Sequence, residues 1–161
     1  MEKKHITKLD TIFYIVTTAV IIISDQGTKW LVAKQFHISY PIIDGLLEFI
    51  YVENKGAAWG ILQGRTWLFL LVALASAIGM IYYFRKLKQE SILTRYGLVL
   101  TFAGMVGNVI DRLFLGYVRD FISVIIFGYH FPIFNIADMA VVIGVIFIIW
   151  ETALGECYGK Q

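Results

Sequence analysis

Long apolar runs separated by short polar stretches dominate the chain, and the lengths of those runs are the first signal. A helix crossing a bilayer needs about 20 mostly apolar residues. Thr11 to about Ala33, Thr66 to Phe84, Tyr96 to about Leu115 and Ile133 to about Ala153 all satisfy this. The runs are unbroken, without the alternation expected of a soluble domain. Two intervening stretches carry a different pattern. "SYPIIDGLLEFIYVEN", residues 39–54, places Asp44-Gly45 between two apolar runs, which predicts a hairpin. "GYVRDFISVII", residues 116–126, alternates and predicts a short strand. The stretch "NKGAAWGILQGR" after Glu53 predicts an interfacial helix, with Trp59 and Trp67 suited to the aromatic belt. Its Gly56, Ala57, Ala58 and Gly60 would let a backbone approach a ligand closely. The pattern therefore predicts an all-α membrane protein, a single domain over residues 1–161, with four transmembrane helices and a small β-sheet.

Composition supports this. The 161 residues have mean hydropathy +0.72 and are 58% hydrophobic. Only 16% are charged, against about 25% in a soluble domain. A net charge of +2 is too small to imply nucleic acid, and the cations cluster beside apolar runs. The lone Cys157 gives no internal disulfide, and His5, His37 and His130 form no metal-binding helix motif. No metal or cofactor is expected.

The cations set direction through the positive-inside bias. Lys3, Lys4 and Lys8 precede the first span, and Arg85, Lys86, Lys88 and Arg95 lie between the second and third. Both termini and this basic loop are expected in the cytoplasm. The loops at about 34–65 and 116–132, with the sheet, are then extracytoplasmic. The amino end also resembles a secretory signal peptide. It is followed by "DQGTKW" without a small-x-small site, and its removal would put the termini on opposite sides, so an uncleaved first span is expected.

With this orientation the polar residues converge. Asp25 lies in the outer third of span one, and Asn108, Asp111 and Arg112 lie near the outer end of span three. Asp120 follows in the outer loop, and Asn135 and Asp138 open span four. Charged groups in spans usually face a bundle interior or a wet cavity. Each residue has a duller reading too. Asp25 and Lys29 have the spacing of a helical ion pair, Asp111 sits beside Arg112, and Asp138 suits a first-turn acid. Asp120, beside Arg119, reads by itself as a solvated loop acid. The functional reading rests on the convergence of all four carboxylates.

Ser24 and Lys29 are about 140° apart on a helix and make no Ser–Lys pair. What remains is carboxylates and asparagines. Two carboxylates held close share a proton, and such a pair can hydrolyse an amide. A cation or proton path is the rival reading, and a polar structural plug a third. A path would need polar residues in the inner halves of the spans, where almost none occur.

The residues resemble the lipoprotein signal peptidases, or signal peptidase II, of bacterial inner or plasma membranes. The resemblance rests on "DQGTK" at 25–29, "NKGAAWG" at 54–60, "GNVIDR" at 107–112, "VRDFI" at 118–122 and "FNIAD" at 134–138. It implies an aspartic endopeptidase that cleaves diacylglyceryl-modified prolipoproteins before the lipidated cysteine. It also implies that Asp120 and Asp138 are catalytic, a choice between Asp111 and Asp120 that spacing leaves open. Asn54, Gly56, Asn108, Arg112 and Asn135 match positions lining the site, and Asp25, Lys29 and Asp111 match supporting positions. It further implies inhibition by the cyclic peptide globomycin, membrane lipid as surroundings, and a monomer. Two positions depart from the pattern: Arg119 stands where many relatives have an apolar residue, and Ser123 where many have another Asp.

Overall fold

The computed structural model describes residues 7–35, 39–56, 61–87 and 92–158, with side chains as far as Ala153. The order of elements is α1 (Lys8–Gln35), β1 (Tyr40–Ile43), β2 (Leu47–Asn54), α2 (Thr66–Lys86), α3 (Ile92–Phe114), β3 (Val118–Ile126), β4 (Tyr129–His130) and α4 (Ile136–Tyr158). Four helices are long and apolar enough to cross a membrane. Their outward faces carry exposed Ile15, Ile23, Leu71, Ile78 and Ile149, which suits a lipid surround and not water.

The spans run close to the expected bounds, and the differences have local causes. α3 begins at Ile92 because the polar turn ahead of Tyr96 is satisfied. Thr94 N–H donates to Glu151 Oε2 at 2.7 Å, and Arg95 Nη2 donates to the Leu87 carbonyl at 2.7 Å. α4 begins at Ile136 and not Ile133, because the residues ahead of it are paired with β3. Phe134 bridges to Ile122, and the Phe134 carbonyl accepts from both Phe121 and Ile122 N–H.

α3 is the central helix, with Leu98, Val99, Ala103, Gly104 and Gly107 buried. Small residues let α4 and α1 come close, as membrane helix interfaces favour. A Cβ on Gly104 would clash with the Ala137 carbonyl oxygen, and one on Gly107 would meet Asp25 Oδ2 at 2.7 Å. α2 buries no residue and leans on the outside, leaving a cleft between itself and α3.

A four-stranded antiparallel sheet, ordered β1-β2-β3-β4, sits at one end of the bundle. The predicted hairpin is present, with Gly45 at φ 72 in the turn and Leu46 N–H donating to the Ile43 carbonyl. The predicted strand is β3, and Val52 of β2 lies opposite Asp120. Residues 57–60 of the expected interfacial helix, with Trp59, lie outside the described residues, and 61–64 form a turn. His5 and His37 also lie outside them, as does the Cys157 side chain. His130 is exposed at the sheet's edge.

Candidate active site

The sheet end of the bundle collects all four carboxylates expected there, in two groups with different chemistry. Asp25, Lys29 and Asp111 form the first group, and all three are within 1% of full burial. Lys29 Nζ is 2.8 Å from Asp25 Oδ2, 3.5 Å from Asp111 Oδ2 and 3.0 Å from Asn108 Oδ1. The spacing that suggested a helical ion pair is therefore real, and the lysine also reaches across to α3. Arg119 completes this group from β3. Its Nη2 and Nε donate to the two Asp111 oxygens at 2.8 and 3.2 Å, and its backbone N–H donates to Asp111 Oδ2 at 2.9 Å. The same Nη2 donates to Gln26 Oε1 at 2.9 Å, and Gln26 Nε2 donates to Asp111 Oδ1 at 3.1 Å. The carboxylate fork holds the Arg119 guanidinium's pKa above its ordinary value.

Asp120 and Asp138 form the second group, and their direct partners are amides. Asn54 Nδ2 donates to Asp120 Oδ2 at 2.8 Å, and Asn135 Nδ2 donates to Asp120 Oδ1 at 2.6 Å. Asn108 Nδ2 donates to Asp138 Oδ1 at 2.7 Å. Among the described residues neither carboxylate forms an ion pair: Lys29 and Arg119 are taken by Asp25 and Asp111, and Arg112, which lines the same cleft as Asp138, donates to the Gly56 carbonyl. Asp120 is 2% exposed, and burial pushes its carboxyl up to about 6 against the pull of the Asn54 bond, with the Asp138 charge adding to the rise.

The start of α4 reconciles the two readings of Asp138. Asn135 Oδ1 accepts from Asp138 N–H at 2.9 Å, and Asp138 Oδ2 accepts from Asn135 N–H at 3.2 Å. This is a reciprocal cap of the helix start. Each side chain has a second end free for the site: Asn135 Nδ2 reaches Asp120, and Asp138 Oδ1 faces Asn108. Asp25 Oδ1 meanwhile accepts from Ala137 N–H at 2.9 Å, so α1 holds the same helix start from behind.

Arg112 and Asn108 share a face of α3, but Asp111 points to the other side, toward α1 and β3. The three polar residues near the outer end of span three are thus divided between two faces. Arg112 Nη2 donates to the Gly56 carbonyl at 3.1 Å and its guanidinium stacks over Phe69. Gly56 N–H donates to Asn54 Oδ1 at 2.9 Å, so this backbone is fixed at both ends. Asp138 and Asp120 line two different clefts. A mainly apolar one of about 670 Å³ runs between α2 and α3 and is lined by Phe69, Met105, Asn108, Arg112 and Asp138. A polar one of about 470 Å³ lies against the sheet and is lined by Glu48, Asn54, Asp120, Ser123 and His130. Ser123 Oγ donates to Glu48 Oε1 there, at 3.1 Å. Among the described residues, no three His, Cys, Asp or Glu side chains are grouped to hold a metal ion.

Sequence reasoning missed the parts played by Gln26 and Arg119. Gln26 is adjacent to Asp25 and gives no separate signal. Arg119 sits next to Asp120 on a strand, which puts the two on opposite faces. Its fork to Asp111 depends on how β3 folds back on α3, and that turn is not legible in spacing.

Fold and site together define a membrane protein with two amide-held carboxylates, one lining an apolar cleft and the other a polar one. A model of the family Signal peptidase (SPase) II matches residues 17–154. The chain is 42% identical to the lipoprotein signal peptidase of Bacillus pumilus (strain SAFR-032), covering 88% of this chain and 93% of the relative. It is 46% identical to that of Halalkalibacterium halodurans, covering 83% and 86%. It is also 46% identical to that of Geobacillus thermodenitrificans, covering 85% and 86%. Two solved structures described as bacterial membrane enzymes superpose with TM-scores of 0.87 and 0.81 at 38% and 39% identity. They cover 100% and 94% of this chain, and 96% and 97% of their own. The chain belongs to the signal peptidase II family and is a bacterial membrane peptidase.

Proposed function

We propose that this peptidase removes signal peptides from diacylglyceryl-modified prolipoproteins by aspartic catalysis, with Asp120 and Asp138 as the dyad, and cuts on the amino side of the lipidated cysteine. The observation that carries this reading is the segregation of charge. Lys29 and Arg119 neutralise Asp25 and Asp111, while Asp120 and Asp138 are held by amides, without an ion pair to Arg112 among the described residues, and remain able to share a proton.

Burial lets Asp120 hold the shared proton into the range near pH 6. Asp120 then hydrogen-bonds the scissile carbonyl oxygen. Asp138 takes a proton from a water whose oxygen attacks the carbonyl carbon. When the C–N bond breaks, Asp138 returns that proton to the leaving amine. The two clefts fit the two halves of such a substrate. The apolar cleft, with Asp138 at its head, suits a signal helix, and the polar cleft, with Asp120, suits the chain beyond the cut.

Orientation in the bilayer follows the cations in this reading. Lys8 opens α1, Arg85 and Lys86 close α2 and Arg95 opens α3, all at the end away from the sheet. That end is assigned to the cytoplasm and the dyad to the outer surface.

The test is cleavage of a precursor peptide carrying diacylglyceryl-cysteine by purified protein in micelles. Wild type should release the signal portion, and globomycin should block it. Asp120→Asn and Asp138→Asn should each lose at least about a thousandfold in kcat while accumulating normally. Near-normal turnover by either variant removes that residue from the dyad.

A further inference from the structure

We propose that Arg119 is a positioning residue for both aspartates, acting by neutralising Asp111 and by clamping β3 to the helices; this rests on the dyad reading above. Arg119 immediately precedes Asp120, and three of its bonds go to Asp111 on α3 and one to Gln26 on α1. Strand position at Asp120 is therefore set from the opposite face of the strand. The pairing of β3 with β2 and with Phe134 fixes its backbone along the strand, and Arg119 adds the tie to α3 and α1.

The second effect is electrostatic and reaches Asp138. Two anions and two cations share this pocket, and their formal charges cancel. Lys29 divides its bonds among Asp25, Asn108 and the more distant Asp111. Without the guanidinium, Asp111 would be a buried anion with Lys29 as its nearest cation. Lys29 would be drawn from Asn108 Oδ1 toward Asp111. Asn108 presents Nδ2 to Asp138 because its Oδ1 is turned toward Lys29 and Asn135. Loss of that cation loosens the amide that aims Asp138. Arg119 lines neither cleft, so it influences the reaction only through these contacts.

The test is a set of four variants assayed on the diacylglyceryl-cysteine peptide: Arg119→Met, Arg119→Lys, Asp111→Asn and the double Arg119→Met/Asp111→Asn. Asp120→Asn serves as control. Arg119→Met should lower kcat about a hundredfold, the scale of a slight misplacement of reacting groups, while KM moves less than about threefold. The double variant removes the buried anion with its partner and should recover most of the lost kcat, to within about tenfold of wild type. Arg119→Lys keeps the charge but loses the fork, and should fall between Arg119→Met and wild type. If Arg119→Met fails to accumulate, the Lys and double variants decide. The inference is overturned by wild-type kcat in Arg119→Met, by an Arg119→Lys no better than Arg119→Met, or by a double variant no better than Arg119→Met. An active Asp120→Asn control would overturn the dyad reading itself, a separate result.

Discussion

Single residues at this site serve structure and chemistry at once, and Asn135 is the clearest case. Its Oδ1 caps α4 while its Nδ2 holds Asp120, so the helix start and the carboxylate are placed by one side chain. Asp120 gives the most direct pH consequence. An acid whose pKa rises on folding binds more protons folded than unfolded. Its favourable contribution is complete below its unfolded value near 3.9 and is lost as pH rises through about 6. The full cost is on the order of 3 kcal/mol, from a rise of about two units at about 1.4 kcal/mol each. Thermal stability in detergent should therefore fall between about pH 4 and pH 6, and Asp120→Asn should remove that component. Activity carries the same sign. If the dyad works with one proton, kcat/KM should fall on the alkaline side as that proton leaves, with an apparent value belonging to the pair. Asn54 donates to Asp120 and pulls its pKa down, so Asn54→Leu should move this limb upward. A limb that stays in place in Asn54→Leu would mean Asp120 does not hold the proton.

At the scale of elements, α3 does the most, because it touches α1, α2 and α4 and carries Asn108, Asp111 and Arg112. Close approach at Gly107 puts Asp25 within reach of the Ala137 N–H. Gly107→Ala should push the Asp25 carboxylate away and weaken the hold on α4. We expect a loss of about 1–3 kcal/mol, read as a lower melting temperature, with lowered kcat. Unchanged melting would show that Asp25 has room to move. The elements themselves were largely legible. Length and hydropathy gave four spans, Asp44-Gly45 gave the hairpin, and alternation gave β3. The start of α4 was not, because Ile133 and Phe134 are as apolar as the helix they precede. Only their pairing with Ile122 of β3 shows that they are not helical. The convergence of four carboxylates was legible from direction alone, since three lie near the same end of their spans and Asp120 follows in the loop at that end. Their division into a neutralised pair and an amide-held pair was not. That depends on Arg119 and on the opposite facing of Asp111 and Arg112, both consequences of tertiary packing.

For the whole molecule, the decisive feature is depth: every ionisable group of the site lies at the sheet end of the bundle, beside a cleft open along α2. In the proposed orientation, Cys157 faces the cytoplasm and should resist an impermeant thiol reagent in intact cells; labelling from outside would reverse the assignment. In the proposed reading, a substrate whose cysteine carries diacylglycerol would keep those chains in the outer leaflet while its peptide bond reached Asp120 and Asp138. Burying a methylene is worth about 0.8 kcal/mol, but an acyl chain already in the bilayer gains little more by binding protein. The lipid should therefore act mainly by placement, confining the scissile bond to the depth of the dyad. Such confinement can supply several kcal/mol of a barrier, roughly a thousandfold in rate or more. Backbone at Gly56 is tied down by Asn54 and Arg112, leaving a rigid edge beside the dyad. In the proposed reading, an edge of that kind should favour small residues just before the cysteine. One peptide sequence, prepared with and without diacylglycerol and offered in matched micelles, tests the idea. Cleavage should be confined to the lipidated form, on the amino side of its cysteine. Equal rates for the two forms would rule out placement by lipid while leaving the aspartic chemistry standing.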